Sequence, residues 1–221
     1  AMTQTELYFI SGSPPCWSVM LALEVKGVGY EPRRLDNAKR EQKSPAYLKI
    51  SPRGQVPVLI NGGTTVCETL AVLSYLDAAY PEPRLFGTDP GDTARIWQAI
   101  CECDGNLRDS VGDISRPLFR GKGREFTDQI TDATAKVRNE LALIEASLSK
   151  APWIAGDNLS AADLVVYPVM MQLERAAARE EEAELELAIY PFGENFANID
   201  VWRREIEKLP GYQNAYPPHW K

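Results

Sequence analysis

Apolar residues in the first part of the chain follow two different spacings. A short apolar run at residues 7–10 predicts a β-strand. After a loop rich in serine and proline, apolar residues recur at helical spacing over residues 17–26, where two glycines then interrupt the pattern. Residues 30–35 fit a second strand. Together these segments predict a βαβ unit, for which a right-handed parallel crossover is the default.

The next apolar segments predict a hairpin and a helix. Residues 56–60 and 64–67 have strand-like composition and are separated by Asn-Gly-Gly, a sequence typical of an antiparallel turn. Helical spacing then begins at Glu68 and ends before Pro81. The order βαβ followed by ββα predicts an α/β thioredoxin-like domain over residues 5–80.

The remainder of the chain lacks strand-like runs. Residues 81–92 are rich in proline, glycine and aspartate, which predicts a linker. Helical spacing follows in the segments 93–118, 124–149, 160–186 and 199–209. We therefore predict an all-α helical bundle over residues 93–221. Ser160 and Asp163 resemble a capping box, which indicates folding stability rather than chemistry.

Charge and composition exclude several function classes. The chain has 24 basic and 31 acidic residues, a net charge of −7 that disfavours nucleic acid and anionic membrane surfaces as partners. No apolar run approaches the roughly 20 residues that span a bilayer, and no secretory signal is recognisable, so we expect a cytoplasmic protein. Four cysteines and a single histidine supply neither a disulfide framework nor a zinc-ligand set, and no metal cofactor is expected.

The loop before the first helix carries the first candidate chemistry. Ser13 and Cys16 stand where a thioredoxin-like redox protein carries Cys-x-x-Cys, and replacement of the first cysteine removes the dithiol cycle. What remains is a positive helix terminus with free backbone N–H groups and one hydroxyl, which can stabilise a thiolate brought in from outside. Alternatively, Ser13 is a helix-start residue. Ser11 and Cys16 are competing candidates for the reactive position.

Two further segments could contact a peptide-like ligand. A cis bond between Val56 and Pro57 would leave the backbone of Val56 free to pair with an extended ligand. Glu68 and Thr69 stand at the start of the next helix, where they could receive an ammonium and a carboxylate respectively. The alternative for Glu68 and Thr69 is that they are favourable first-turn residues.

Four segments taken together resemble the cytosolic glutathione transferase family. They are Lys43-Ser-Pro45, Pro52-x-Gly-Gln-Val-Pro-Val-Leu59, Val66-Cys-Glu-Thr-Leu70 and Gly156-Asp-Asn-Leu-Ser-Ala-Ala-Asp163. The resemblance covers essentially the whole chain, and the N-terminal domain is most similar to the serine-type tau, zeta and theta classes. It implies a thioredoxin-like domain that binds glutathione and a helical domain that holds the second substrate.

The resemblance also implies roles for individual residues. Ser13 matches the catalytic serine that hydrogen-bonds the glutathione thiolate. Val56, before Pro57, matches the residue whose backbone pairs with the cysteinyl part of glutathione. Glu68 and Thr69 match the acid and hydroxyl that hold the γ-glutamyl end, where the family more often has serine in place of Thr69.

The remaining positions implied by the resemblance are peripheral. Lys43 and Gln55 match positions that bind the glycine carboxylate and nearby backbone, although many tau members have lysine in place of Gln55. The second substrate would sit between the domains against the first long helix of the bundle. Trp97, Arg108 and Phe119 are candidate lining residues there, and the alternative is that they belong to the core.

The activity implied is conjugation of the glutathione thiolate to a small hydrophobic electrophile, in a cytoplasmic homodimer with a role in detoxification. Three alternatives remain open. A zeta-like isomerase would add and then eliminate the same thiolate. A thiol transferase would depend on Cys16, as beta-class relatives use a cysteine close to this loop. The fold could also serve as a non-catalytic binding or scaffold protein.

Overall fold

A four-stranded mixed sheet organises the N-terminal part of the chain in the computed structural model, which describes residues 5–220. Its strands are β1 (Glu6–Phe9), β2 (Glu31–Arg34), β3 (Val58–Asn61) and β4 (Thr64–Cys67), in the spatial order β2-β1-β3-β4. Strand β2 is parallel to β1, whereas β3 is antiparallel to both β1 and β4. The predicted βαβ unit and hairpin are therefore confirmed.

Helices flank this sheet as the sequence pattern predicts. They are α1 (Pro14–Val25), a short α2 (Pro45–Leu48) and α3 (Thr69–Ala79), with a 3₁₀ turn at Glu41–Lys43 before α2. Helix α1 begins three residues earlier than predicted, because two prolines occupy its first turn, where their fixed φ is already helical. The α/β thioredoxin-like prediction for this part of the chain is confirmed.

A buried lysine connects the ends of α1 and α3. The side chain of Lys26 is 0% exposed, and its ammonium donates to Asp77 Oδ1 at 3.0 Å and to the carbonyls of Tyr80 and Pro83 at 2.6 and 2.8 Å. The Leu85 N–H donates to the same Asp77 oxygen at 2.7 Å. The buried charge is thus paired and fully hydrogen-bonded, the arrangement that burial of an ammonium requires.

The second part of the chain is helical, as predicted. Its helices are α4 (Pro90–Glu102), α5 (Arg108–Phe119), α6 (Thr127–Leu148), α7 (Ala161–Ala177), α8 (Phe192–Asn195) and α9 (Ala197–Glu207). A π-helical turn at Cys103–Leu107 joins α4 to α5 within the single helix that the sequence predicts. None of the described helices is long and apolar enough to cross a bilayer.

Helix α7 is buried on nearly all sides and begins with the predicted capping box. Asp163 is 0% exposed and accepts hydrogen bonds from the N–H groups of Ile154 and Ser160 and from Trp202 Nε1, each at 2.9 Å. Burial raises the pKa of this carboxyl, and the hydrogen bonds oppose that shift. The helix ends at Ala177, nine residues before the predicted end, since the acidic run that follows would place like charges on adjacent turns.

The chain divides into two compact units, one comprising residues up to Leu85 together with those from Leu209 onward, the other residues 86–208. The prediction of 93–221 as one helical domain did not anticipate this return. The last described residues, including α10 (Tyr212–Ala215), pack on α1. The Trp17 ring lies 5.9 Å from that of Tyr216 and 5.4 Å from that of Trp220, centroid to centroid. These aromatic contacts join the segment to the sheet unit.

Candidate active site

A cavity of about 390 Å³ lies in the first unit at the edge of the sheet. Five of the predicted site residues line it, and these are Gln55, Val56, Pro57, Glu68 and Thr69. They come from the loop before β3 and from the start of α3, which the antiparallel β3–β4 hairpin brings together. Residues 51–54 complete one wall of this cavity.

The loop before β3 presents an unused stretch of backbone to the cavity. The Val56–Pro57 peptide bond is cis. Among the described residues, neither main-chain group of Val56 forms a hydrogen bond. The preceding carbonyl, that of Gln55, accepts from Tyr47 Oη at 2.7 Å and from Ser51 Oγ at 3.1 Å. These contacts fix the loop while its free N–H and C=O groups remain available to an extended ligand.

Glu68 has a backbone conformation that is rare for a residue with a side chain. Its φ is +71°, in the left-handed region that favours glycine, and α3 begins at the next residue, Thr69. Such a conformation costs on the order of 1–3 kcal/mol and is concentrated at functional sites. The Glu68 side chain is exposed and does not cap the helix. Its carboxylate is therefore available to a cationic group in the cavity.

Ser13 stands immediately before α1 in an extended conformation, and its hydroxyl does not cap the helix. The hydroxyl lies beside the Cys16 thiol and lowers the pKa of that thiol, against the larger effect of burial. Pro14 and Pro15 fill the first two helical positions and carry no N–H group. The expectation of several free N–H donors at this terminus is therefore wrong, because the first turn offers the N–H of Cys16 alone, while that of Trp17 bonds the Ser13 carbonyl at 2.9 Å.

The two competing candidates in this loop have different surroundings. Cys16 is 1% exposed, and burial raises the pKa of its thiol to about 11. Its thiol is consequently protonated near neutral pH, which disfavours it as a nucleophile. Ser11 Oγ lies 3.2 Å from His219 Nδ1. Ser11, Ser13 and Cys16 all line a second cavity beside α1, and Ile10 lines both cavities.

Lys43 does not itself line the cavity, but it contacts Arg53, which does. Its ammonium donates to the Arg53 carbonyl at 2.7 Å. A Cβ atom added to Gly54, whose φ is +59°, would lie 2.5 Å from the Gln42 carbonyl oxygen and 2.8 Å from Lys43 Cδ. Glycine is thus required at position 54, where the loop before β3 packs against residues 42 and 43.

Sequence reasoning missed Gln42, which lines the same cavity. Its Nε2 donates to Asn37 Oδ1 at 2.8 Å, whereas its Oε1 is buried and has no hydrogen-bond partner among residues 5–220. A buried acceptor without a partner is costly unless a ligand supplies the donor. The residues around Gln42 are polar and show neither helical nor strand spacing. The one indication in the sequence is that Gln42 directly precedes Lys43, a predicted site residue.

The three predicted second-substrate residues belong to the helical unit, where each has a contact of its own. Trp97 stacks on Phe86 with the ring centroids 5.2 Å apart. Arg108 Nε donates to an aspartate four residues earlier at 2.8 Å. Two arginine guanidinium groups lie over the Phe119 ring, each 5.4 Å from its centroid. Their role toward a substrate stays a prediction.

No cluster of three or more His, Cys, Asp or Glu side chains arranged to hold a metal ion is found within residues 5–220.

Comparison with known proteins identifies the family. Residues 7–84 match the family model described as the N-terminal domain of glutathione S-transferase. Residues 115–210 match the model of the C-terminal domain of the same family. These two ranges include the candidate cavity and most of the helical unit.

Individual relatives agree with the family models. Glutathione S-transferase A of Pleuronectes platessa is 28% identical over 95% of this chain and 90% of its own. Maleylacetoacetate isomerase of Pseudomonas aeruginosa is 30% identical over 77% and 82%. The crystal structure of a glutathione S-transferase from the Antarctic clam Laternula elliptica superposes with a TM-score of 0.83 at 27% identity, covering 98% of this chain and 94% of that one. On this sequence and structural evidence the chain belongs to the glutathione transferase family.

Proposed function

We propose that this family member is an active glutathione transferase, which binds reduced glutathione in the 390 Å³ cavity and conjugates its thiolate to a small hydrophobic electrophile. The observation that carries the proposal is the convergence of the free Val56 backbone and the Glu68 carboxylate on one cavity. The names of the relatives point to the same activity.

Each part of glutathione has a complementary group in the proposed pose. The Glu68 carboxylate would pair with the α-ammonium, and the Thr69 hydroxyl at the start of α3 would bind the γ-glutamyl carboxylate. The cysteinyl N–H and C=O would pair with the backbone of Val56. An extended tripeptide spans about 10 Å, so its glycine end would lie toward Gln42 and Lys43, where the glycyl N–H would donate to Gln42 Oε1 and the carboxylate would face the Lys43 ammonium. Ser13 would face the sulfur.

Ser13 would act by stabilising a thiolate rather than by attacking the electrophile. Its hydroxyl would donate a hydrogen bond to the glutathione sulfur. A donor that binds the thiolate more strongly than the thiol lowers the thiol pKa, and each unit corresponds to about 1.36 kcal/mol. The thiolate would then form a C–S bond as the leaving group departs with its electron pair. Fixed donors accelerate this step to the extent that they stabilise its transition state more than the bound substrates.

Calorimetric titration with reduced glutathione tests the binding site. We expect saturable binding by the wild type and at least about a tenfold loss in Glu68→Gln, because the ammonium would lose a charged partner. Glu31→Gln, which removes an exposed carboxylate from β2, is the matched control and should bind as the wild type does. Absence of binding by the wild type, or equal binding by both variants, would contradict the proposal and favour a scaffold role.

A second candidate function is a glutathione-dependent isomerase, which the 30% identity to a maleylacetoacetate isomerase favours. The same thiolate would add to a cis double bond and leave after rotation about the resulting single bond, so that glutathione is regenerated. The test is incubation of a maleyl ketone with substoichiometric glutathione. Complete conversion to the fumaryl isomer with glutathione recovered would support this activity, whereas accumulation of a stable conjugate would support the transferase.

We also propose, from the family resemblance, a cytoplasmic homodimer that acts in detoxification. In the family, the N-terminal domain of one subunit usually docks on the helical domain of the other. Sedimentation velocity at several protein concentrations would show a dimer as a species of twice the monomer mass. A monomer at micromolar concentration would count against this assembly.

A further inference from the structure

The last described residues of the chain lie directly against the loop that carries Ser13. His219 and Trp220 belong to a 3₁₀ turn at Pro218–Trp220, and both lie against Gly12. A Cβ atom added to Gly12 would be 3.0 Å from Trp220 Cζ2 and 3.3 Å from the Cε1 and Nε2 atoms of His219. Both segments belong to the first unit, although they are far apart in the sequence.

The loop is a tight turn that ends at Ser13. The Ser13 N–H donates to the Ile10 carbonyl at 3.2 Å, which closes a turn over residues 10–13. Gly12 stands at the third position with a φ of +83°, the conformation that a type II turn requires there. We call residues 10–13 the Ser13 turn. Its geometry sets where the Ser13 hydroxyl lies.

A side-chain hydrogen bond joins the Ser13 turn to the C-terminal segment. Ser11 Oγ lies 3.2 Å from Nδ1 of His219, the single histidine of the sequence. A hydroxyl both donates and accepts, and a ring nitrogen does either according to whether it carries a proton. The neutral ring can therefore form this bond in either tautomer, and the imidazolium can form it as well. We expect the contact to persist while the histidine titrates.

The C-terminal segment has restraints of its own. Pro217 and Pro218 each have a fixed backbone φ. The Trp220 N–H donates to the Pro217 carbonyl at 3.1 Å. The Trp220 ring packs edge-on against that of Trp17 in α1, with the centroids 5.4 Å apart. The hydrogen bond from His219 to the turn therefore comes from a restrained backbone.

We propose that His219 is a positioning residue for the conjugation reaction. By bonding Ser11 and lying against Gly12, it fixes the Ser13 turn and so keeps the Ser13 hydroxyl at the glutathione sulfur. His219 is not among the residues that line either of the two cavities, so its effect passes through the turn and not through contact with a substrate. This inference rests on the proposed function, to which it adds a residue outside the four segments that resemble the family.

Hydrogen–deuterium exchange of the full chain without glutathione tests whether His219 holds the turn. We expect the Ser13 N–H to exchange about threefold or more faster in His219→Phe, which keeps a ring against Gly12 but lacks Nδ1. His219→Asn should exchange as the wild type does, because its amide carries a polar atom at the same number of bonds from Cα as Nδ1. Gln213→Ala, at an exposed position of α10, is the matched control and should also exchange as the wild type does.

The pH profile of kcat/KM for an aryl halide electrophile tests the consequence for the reaction. At pH 6.5 we expect His219→Phe to lose about three- to fivefold, less than Ser13→Ala, with little loss at pH 9 and an unchanged KM for glutathione. Ser11→Ala, which removes the other partner of the bond, should lose about as much as His219→Phe, whereas His219→Asn should retain the wild-type values. Adding His219→Phe to Ser13→Ala should cause no further loss, because both changes act on one hydroxyl.

Circular dichroism and thermal denaturation of each variant establish that it is folded. Unchanged exchange at Ser13 in His219→Phe, a pH-independent loss of activity, or additive losses in the double variant would overturn the inference. Equal losses in His219→Phe and His219→Asn would overturn it as well. A wild type that conjugates no electrophile would refute the proposed function instead, and the exchange experiment would still decide whether His219 holds the turn.

Discussion

Ser13 illustrates how one hydroxyl can control chemistry that belongs to a bound ligand. Ser13 does not need to ionise for this role, because it is proposed to donate a hydrogen bond to a sulfur atom. The paired prolines after it remove two backbone donors that would otherwise share this task. The hydroxyl and the Cys16 N–H are therefore the groups at this helix terminus that we expect to lower the pKa of the glutathione thiol.

Replacement of Ser13 by alanine should raise the pKa of the bound glutathione thiol. At pH 6.5 we expect kcat/KM for an aryl halide electrophile to fall by about 10- to 100-fold, since each unit of pKa changes the thiolate fraction about tenfold below the pKa. The loss should shrink as the pH rises to 9, where the thiolate forms without help. The measurement is the pH profile of kcat/KM, with Ser11→Ala as the control. A pH-independent loss, or an equal loss in Ser11→Ala, would assign the role elsewhere.

The buried thiol of Cys16 should be unreactive at ordinary pH. With its pKa raised to about 11, roughly one molecule in 1,000 carries the thiolate at pH 8. Iodoacetamide at pH 8 is therefore expected to alkylate the exposed Cys101 while leaving Cys16 unmodified in the native protein. Mass spectrometry of tryptic peptides measures both, and labelling in urea is the positive control. Rapid native labelling of Cys16 would revive the thiol transferase alternative.

At the scale of single elements, helix α7 depends on one carboxylate. Asp163 joins the cap of α7 to the loop at Ile154 and to the indole of Trp202 on α9. Its hydrogen-bond donors are thus drawn from three segments of the helical unit. A residue first recognised as part of a local cap has a long-range role that its sequence neighbours do not reveal.

Asp163→Ala should destabilise the protein by about 3–5 kcal/mol, because buried N–H donors would lose their acceptor. Asp163→Asn should cost less, since the amide keeps one acceptor oxygen in place. Asp157→Ala, at an exposed position in the preceding loop, is the matched control and should change stability by less than about 0.5 kcal/mol. Urea denaturation followed by circular dichroism gives all three values. Equal stabilities of the Asp163 and Asp157 variants would refute this account.

For the molecule as a whole, local sequence patterns predicted the individual helices and strands better than they predicted which segments pack against each other. The strands and the main helices follow from periodicity, and the glycine turn identified the β3–β4 hairpin. The four-residue helices α2, α8 and α10 are too short for periodicity to detect. The end of α7 was predicted too late in the chain. The acidic run that follows has helical spacing, but repulsion between its like charges disfavours a helix. The return of the chain after Leu209 to contact Trp17 has no local signal, since the partners are almost 200 residues apart.

Removal of residues 209–221 should uncover Trp17, which is 2% exposed in the intact first unit. We expect the truncated protein to lose about 3 kcal/mol or more of unfolding free energy, given the apolar area that an aromatic side chain buries. Urea denaturation measures the loss, and acrylamide quenching of tryptophan fluorescence reports the exposure. Substitution of Gln213, an exposed residue of α10, by alanine is the control. Unchanged stability of the truncated protein would show that the segment contributes little to the first unit.

The π-helical turn at Cys103–Leu107 has a consequence for how chain length varies among relatives. A π turn holds one residue more than an α-helical turn, so it absorbs an insertion without changing the register of either flanking helix. Ile96 and Ile100 of α4 and Ile114 of α5 can therefore all remain buried. A homologue with one residue fewer at this position should form a single uninterrupted α-helix, and an alignment gap here would record an ancestral insertion or deletion rather than a change of fold.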